Sequence, residues 1–306
     1  MAFDFYFAGS QCPETEQLII DLNANVLQSY VADKSAISKW FERKKQGWKG
    51  KFIIDSGAFT AHRKNTELNI DKYIEWLNKN DEYIDYAIEL DHIPGKWGHI
   101  KTHSDVIEGA INSWSNYLYM VEHCKNPTKI LPVFHQGEDL KYLKQIVNFK
   151  INDEYVPYIC ISGNKELTNK QREDWYYKCY NVIKSSNNPN VKVHCLGSAT
   201  LQNAVNFPFT SMDATSQIMT AANGSIFTDY GTILVSDKSI SDKSHISHLP
   251  AEAIQHIEDY LHKYNITLEQ VKSSYKYRAL INVHYLYDKS LITTFSGRSF
   301  KINKLF

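Results

Sequence analysis

The chain lacks the features that define several large classes of protein. Its 306 residues include five cysteines, but no CxxC pair or other close metal-ligand spacing. This pattern argues against a structural zinc site and predicts a reducing compartment. No window approaches the roughly 18 consecutive apolar residues of a membrane-spanning helix. Lysine plus arginine equals aspartate plus glutamate at 34 each, so no overall charge attracts the chain to nucleic acid or to a membrane surface.

The N-terminal residues also predict no targeting segment. The sequence MAFDFYFAGS places Asp4 within a short apolar run and has no basic leader, which is typical of neither a signal peptide nor a transit peptide. Together with the cysteine pattern, this predicts a cytoplasmic protein. Apolar content of 43% and charged content of 22% are ordinary for a soluble globular chain with a sizeable core.

Short β-branched or aromatic runs alternate with longer amphipathic stretches along most of the chain. One such stretch covers residues 69–80, where apolar side chains recur at helical spacing. The alternation is typical of βα units and a parallel sheet. Eight units predict an α/β fold, a (β/α)8 TIM barrel over residues 1–235, with a helical and basic C-terminal extension over residues 236–306 that can pack on the barrel. The strand-like runs are residues 3–9, 25–31, 52–60, 84–94, 129–137, 155–163, 191–199 and 209–217.

The ends of these predicted strands carry polar residues and glycines. In a parallel barrel every strand opens at its C-terminal end on the same face, where active sites of this fold lie. Three carboxylates, an amide and several glycines are therefore expected to converge on one mouth. The residues at these positions are Asp55, Asp91, His135, Gln136, Ser162, Gly163, Gly197, Ser198 and Asp213.

Several of these residues also have a simpler structural interpretation. Asp213 can act as a turn former that bonds its own backbone, Asp55 can cap the turn before a helix, and Asp91 can form an Asx turn ahead of Pro94. His135 and His194 can be packed or hydrogen-bonded histidines, because no partner lies at metal-ligand spacing.

The motifs resemble those of the tRNA-guanine transglycosylase superfamily in order and spacing. In that family the corresponding segments read approximately DSGGFQ, DE followed by proline, QGG, GGLAVGE, a glycine-bearing strand, DCVLPTR and RNGQAFT. The resemblance covers roughly residues 50–231, and its last segment is the most specific. The matching segments here are DSGAF (55–59), LD (90–91), HQG (135–137), ISGNKE (161–166), CLGSA (195–199), SMDATS (211–216) and AANGSIFTDYG (221–231).

The chain also departs from the tRNA-modifying members of this family. They carry a CxCxxC…H zinc site after the barrel, whereas this chain has no cysteine beyond Cys195. Their proline-threonine-arginine is replaced by Thr215, Ser216 and Gln217, and the arginine of RNG by Ala222. In these respects the chain is closest in character to the branch that inserts 7-deazaguanine bases into DNA in phages and bacteria. The resemblance therefore implies an enzyme, a base-exchanging glycosyltransferase, in a bacterial or phage-infected cytoplasm.

The resemblance implies a role for each matched residue. Asp213 is the expected nucleophile, which forms a covalent glycosyl intermediate, and Asp55 the general acid/base. Because the two roles need different pKa values, we expect Asp55 to be the more desolvated of the two. The expected substrate-binding residues are Asp91 as acceptor, Gln136 and the backbone at Gly163 as donors, Phe59 as stacking platform, and Ser162 and Gly197.

The expected substrates are DNA and a free 7-deazaguanine base such as preQ0, with no cofactor and no metal; a homodimer is left open. The target nucleotide must flip out or arrive single-stranded. A basic, tyrosine-rich segment near the C-terminus is the expected nucleic-acid contact, although it equally fits a solvated helix and basic tail. Its candidate residues are Lys272, Lys276, Arg278, Arg298 and Lys301.

Three other functions remain open from the sequence. The chain can be a tRNA-guanine transglycosylase without the zinc site, or a non-catalytic nucleic-acid-binding homologue. The presence of Asp55, Asp91 and Asp213 together argues against the latter. It can also be a glycoside hydrolase on the same fold, although Gln136 and Gly163 would then have no purpose.

Overall fold

The structure of the protein is a computed structural model, which describes residues 3–9, 12–32, 34–164, 167–239 and 241–297. Within these residues the strands follow one another in short segments separated by helices. In chain order the strands are β1 (Asp4–Ala8), β2 (Asn25–Ser29), β3 (Phe52–Asp55), β4 (Tyr86–Ile88), β5 (Ile130–Leu131), β6 (Val133–His135), β7 (Lys150–Ile151), β8 (Glu154–Tyr155), β9 (Tyr158–Ser162), β10 (Lys192–Leu196), β11 (Ser211–Ala214), β12 (Ser225–Thr228) and β13 (Gly231–Leu234).

The helices lie mainly between these strands. In chain order they are α1 (Pro13–Asp21), α2 (Lys34–Lys45), α3 (Ala58–Lys64), α4 (Ile70–Lys79), α5 (His103–His123), α6 (Leu140–Val147), α7 (Asn169–Lys184), α8 (Leu201–Asn206), α9 (Ser216–Ala222), α10 (Ala251–His262), α11 (Leu268–Ser273) and α12 (Tyr275–Ile292). Helices α4, α5, α7 and α11 begin at threonine or asparagine caps, which satisfy backbone N–H groups of the first turn. No helix in the described ranges is long and apolar enough to cross a membrane.

Nine strands form one parallel sheet in the order β5-β4-β3-β2-β1-β11-β10-β9-β6. The first strand pairs with the last of the barrel, with Asp4 opposite Ser211. The two outermost strands, β5 and β6, are separated in the chain by Pro132 alone, so the edges of the sheet meet. The result is a nearly closed, TIM-like α/β barrel flanked by helices, and the expected fold class is confirmed at this level.

One predicted strand is shorter in the structure than its apolar run. The run at residues 52–60 forms β3 only as far as Asp55, and α3 begins at Ala58. Gly57 makes this turn possible because its φ is +83°, and a Cβ there would lie 2.5 Å from Val31 Cγ2. The strand therefore ends at Asp55, and its carboxylate lies at the strand tip.

Two apolar clusters lie on opposite faces of the sheet. The inner one is built from strand residues alone, among them Tyr6, Leu27, Ile53 and Ile88, and it fills the barrel. The outer one joins the sheet to the helices. Side chains alternate between the two faces along a strand, so Asp55, two residues after Ile53, points inward at the C-terminal end.

The segment after the barrel strands continues the helical layer. The hairpin β12–β13 pairs antiparallel, and α12 packs against α9, β12, α1 and β1. Val283 and Leu286 of α12 belong to the same apolar cluster as the barrel helices. The last described helix, although it falls within the predicted extension, is thus packed on the barrel.

Candidate active site

Asp55, Asp91 and Asp213 lie at the C-terminal ends of the barrel strands. Asp55 ends β3, Asp91 follows β4, and Asp213 lies in β11. The charges of Asp91 and Asp213 both act on Asp55, and the Ser56 hydroxyl donates to Asp91 Oδ1 at 3.2 Å. The structure therefore brings the three predicted carboxylates to one mouth.

Asp213 is held by two hydrogen-bond donors, and both contact its Oδ1 atom. The Gly197 N–H donates at 2.7 Å, and His194 Nε2 lies at 3.2 Å. Gly197 has a φ of +67°, a left-handed conformation that glycine adopts without strain and that aims the N–H at the carboxylate. Two donors on one oxygen fix the orientation of the carboxylate.

A buried chain of hydrogen bonds supports His194 from behind. Its Nδ1 contacts the Ser211 hydroxyl, which in turn contacts the Tyr158 hydroxyl. When His194 Nε2 donates to Asp213, Nδ1 is the acceptor, so the Ser211 hydroxyl donates to it. His194 and Ser211 are fully buried. These hydrogen bonds therefore position Asp213 and are not accessible to substrate. The sequence suggested a hydrogen-bonded His194 but not the partners Ser211 and Tyr158.

Asp55 has a pKa of about 7, well above its usual range. Burial is the largest cause, followed by the negative charges of Asp91 and Asp213, and the hydrogen bond from the Gly57 N–H at 3.1 Å opposes them. The large contribution of burial agrees with the expectation that Asp55 is desolvated, although by exposed surface alone the order of the two carboxylates is reversed. Asp213 is only 6% exposed, whereas Asp55 is partly exposed. Asp213 accepts from two groups of the barrel wall, whereas Asp55 accepts from the Gly57 N–H.

Asp91 is buried and paired with a histidine. His135 Nε2 lies 2.9 Å from Asp91 Oδ2, and His135 Nδ1 lies 3.1 Å from Glu138 Oε1. Burial lowers the pKa of His135, but its hydrogen bonds and charge interactions with the two carboxylates outweigh this and raise the pKa to about 10. His135 is thus an imidazolium at neutral pH, and it compensates the buried charge of Asp91.

A fourth acidic residue, Glu89, lies behind this pair. It is almost fully buried, and its Oε1 accepts from the Val133 N–H at 2.6 Å. Burial raises its pKa well above the usual range and so favours the neutral carboxyl, while the Val133 N–H opposes this shift. With Glu138 it lines a small cavity between the sheet and helices α5 and α6, outside the barrel mouth. No group of three metal-binding side chains arranged for an ion is found in the described part of the chain.

The predicted residues on β6 and β9 are engaged mainly with the protein itself. Gln136 Oε1 accepts from the Asn164 N–H at 2.9 Å, and its Nε2 donates to the Gln171 carbonyl at 3.3 Å. Ser162 points toward the mouth and is partly exposed. A Cβ on Gly163 would lie 2.7 Å from the Tyr176 hydroxyl, so close packing within the protein is sufficient to require glycine at this position.

Phe59 lies on the rim of the mouth. It is 56% exposed, and its ring contacts Trp97 edge to face at 5.6 Å between centroids. The sequence predicted Phe59 as an aromatic platform but did not identify Trp97 as its neighbour. The signal available was the tryptophan in the loop that follows Asp91.

The predicted phosphate-binding segment needs a correction. Arg278 is 8% exposed, and its guanidinium donates to the carbonyls of Ala221, Val271 and Lys272 at 2.9, 2.8 and 3.2 Å. It therefore joins α12 to neighbouring elements and is not available to DNA. Lys272 pairs with Glu269 at 2.9 Å and Lys276 with Glu14 at 3.7 Å. Arg298 and Lys301 lie outside the described residues.

No protein-family model matches this chain, and no curated protein matches its sequence. The fold and the site by themselves define a class: a TIM-like α/β barrel with a cluster of aspartates at its C-terminal mouth.

Proposed function

We propose that the protein is a DNA-guanine transglycosylase, which exchanges guanine in DNA for a 7-deazaguanine base such as preQ0 through a covalent Asp213-glycosyl intermediate. The observation that carries the proposal is the convergence of Asp55, Asp91 and Asp213, with the pKa of Asp55 raised to about 7. In this proposal β5, Pro132 and β6 count as one strand, and the fold is a (β/α)8 barrel with a C-terminal extension.

Asp213 has the geometry of a nucleophile with one oxygen restrained. Gly197 and His194 both contact Oδ1, which leaves Oδ2 to attack C1′ of the target deoxyguanosine. The bond from C1′ to guanine breaks as the bond to Oδ2 forms. In the resulting ester Oδ1 is the carbonyl oxygen, and the same two donors then stabilise the carboxylate when it departs.

Asp55 suits the proton transfers that accompany this exchange. A carboxyl group with a pKa near 7 is present in both protonation states at neutral pH. The protonated form donates its proton to the leaving guanine. The ionised form then accepts a proton from the ring nitrogen of the incoming base as that nitrogen attacks C1′ and releases Asp213.

Asp91 is suited to recognise the base rather than to react with it. Its partners Ser56 and His135 contact one oxygen each, Oδ1 and Oδ2, and hold it in place. A carboxylate has further lone pairs that can accept hydrogen bonds from the N1 and N2 hydrogens of a guanine-like base. Because the Gln136 amide is engaged with the loop after β9, we assign the donor toward O6 to the backbone near Gly163.

The test is base exchange on isolated nucleic acid. The protein is incubated with labelled preQ0 and either DNA or unmodified tRNA, and the nucleic acid is digested and analysed as nucleosides. We expect label in deoxynucleosides from DNA. Label only in tRNA nucleosides would favour a tRNA-guanine transglycosylase, and label in neither would refute base exchange with this substrate.

Two substitutions and one matched control assign the chemistry. Asp213→Asn keeps an acceptor for the same donors but should abolish exchange and any covalent DNA adduct, whereas Asp55→Asn should slow the chemical step and spare base binding. Asp4→Asn changes an aspartate at the opposite end of the barrel, where it pairs with Lys51 at 2.5 Å, and should leave exchange intact. An adduct that persists in Asp213→Asn would place the nucleophile elsewhere.

A further inference from the structure

An exposed surface borders the mouth on the side of Asp55 and Asp91. It consists of residues 58–64, which form α3 three residues after Asp55, and residues 92–102, the loop that begins directly after Asp91. Phe59 from the first segment and Trp97 from the second contact each other at 5.6 Å and are 56% and 51% exposed. The two segments therefore form one continuous rim surface beside the carboxylates.

The rim surface carries positive charge only. Its two segments together contain three lysines and one arginine, and neither segment contains aspartate or glutamate. These four cations are exposed, and none forms an ion pair with another described residue. They are Arg63, Lys64, Lys96 and Lys101. A local cationic surface on a chain of zero net charge is expected to attract a polyanion to this position.

The histidines confirm that the two segments are close in space. The His62 ring contacts Trp97 at 6.2 Å between centroids. Burial lowers the pKa of His62, and the nearby Lys101 and His92 lower it further. Since His62 lies in α3 and the other three residues lie in the loop, cations and aromatic rings from both segments share one patch.

We infer that the rim surface binds single-stranded DNA on either side of the nucleotide that enters the mouth, with Trp97 and Phe59 stacking on bases and the four cations contacting phosphates. The inference rests on the proposed function for the choice of DNA and for the entering nucleotide. Exposed aromatic rings next to cations are the general means of holding a single strand, because every base has a face to stack on. The perpendicular Phe59–Trp97 arrangement, at 88°, leaves ring surface open for such stacking.

The test measures binding without any chemistry. A labelled single-stranded DNA of about 12 nucleotides is titrated with the full-length protein in an anisotropy assay, without free base and at several salt concentrations. In the double variant Lys96→Ala/Lys101→Ala, the slope of log K against log salt should become shallower by about 1.4, since each phosphate contact on a single strand contributes roughly 0.7. The matched control is Lys150→Ala/Lys192→Ala, which removes two exposed lysines at the opposite end of the barrel.

A second pair of variants isolates stacking from charge. Trp97→Ala should weaken binding by about 5- to 150-fold, the range expected for loss of one stacked base. Trp97→Phe retains a ring and should keep most of the affinity. Because Trp97 is half exposed, neither change should alter the thermal unfolding of the protein.

Several results would overturn the inference. One is unchanged affinity and salt slope in the rim variants, and another is an equal effect in the lysine control. Tighter rim-dependent binding of the matching RNA strand would overturn the choice of DNA. DNA binding that depends on the rim, without base exchange, would refute the proposed function and leave the rim inference standing. Base exchange with DNA binding that does not depend on the rim would support the proposed function and refute the rim inference.

Discussion

Replacement of Asp55 by asparagine should stabilise the protein at neutral and alkaline pH, although Asp55 is assigned a catalytic role. The pKa of this carboxyl is about 7 in the folded protein, against an ordinary value of 3.8, because of burial and then the charges of Asp91 and Asp213. The folded state therefore binds the proton more tightly than the unfolded chain does. Ionising Asp55 at neutral pH consequently destabilises the fold.

The size of the effect follows from the difference between the two pKa values. One pKa unit corresponds to about 1.4 kcal/mol, so a difference of about three units sets an upper limit of about 4 kcal/mol. Asp55 is partly exposed, and solvent screening reduces this contribution. We expect Asp55→Asn to raise the free energy of unfolding by about 2 kcal/mol at about pH 8.

The stabilisation by Asp55→Asn should depend on pH. The gain should be fully present above pH 7 and should shrink as the pH falls through 7, because the folded wild-type carboxyl becomes protonated; it vanishes only below 3.8, where the carboxyl is protonated in both states. Urea unfolding at about pH 8 and about pH 4.5 measures it. Asp4→Asn, which loses an ion pair with Lys51, should not stabilise the chain at either pH. A less stable Asp55→Asn at pH 8, or a gain that persists undiminished in acid, would refute the reasoning.

Three further substitutions test the surroundings of the site. His135→Gln leaves Asp91 and Glu138 without the cation between them and should lower the free energy of unfolding by about 3–5 kcal/mol at neutral pH, as measured with urea. The stability of the wild-type protein should also fall as the pH rises through about 10, the pKa of His135. His194→Phe removes one donor to Asp213 and should slow adduct formation by about 100-fold, with DNA affinity unchanged and partial rescue by His194→Gln. Arg278→Ala breaks three hydrogen bonds to carbonyls and should lower the free energy of unfolding by about 3 kcal/mol. If Arg278→Ala instead changed the salt dependence of DNA binding and left stability unaltered, Arg278 would be a phosphate contact after all.

The order of strands and helices follows from the sequence. Each of the eight predicted runs contains a strand of the sheet, because the alternation of short apolar runs with amphipathic stretches is a local property of the chain. The boundaries were less accurate. The strand at residues 52–60 ends early because Gly57 turns the chain, and the run at residues 84–94 forms only Tyr86–Ile88 as a strand.

The predicted basic segment shows where local pattern fails. Lys276 and Arg278 are two residues apart in the same cationic stretch, yet Lys276 is partly exposed and Arg278 is buried against three carbonyls. Composition cannot distinguish them, because burial depends on which face of α12 meets α9 and β12. An exposed cationic surface beside the carboxylates comes instead from α3 and the loop after Asp91.

By itself the sequence determined the order of strands and helices and the placement of Asp55, Asp91 and Asp213 at strand ends. The tertiary structure alone decided the partners of these residues. His194 reaches both Ser211 and Asp213 because β10 and β11 pair with His194 opposite Ser211, and His135 meets Asp91 across the barrel edge. Such contacts depend on the register between distant strands, which side-chain periodicity along one strand does not encode.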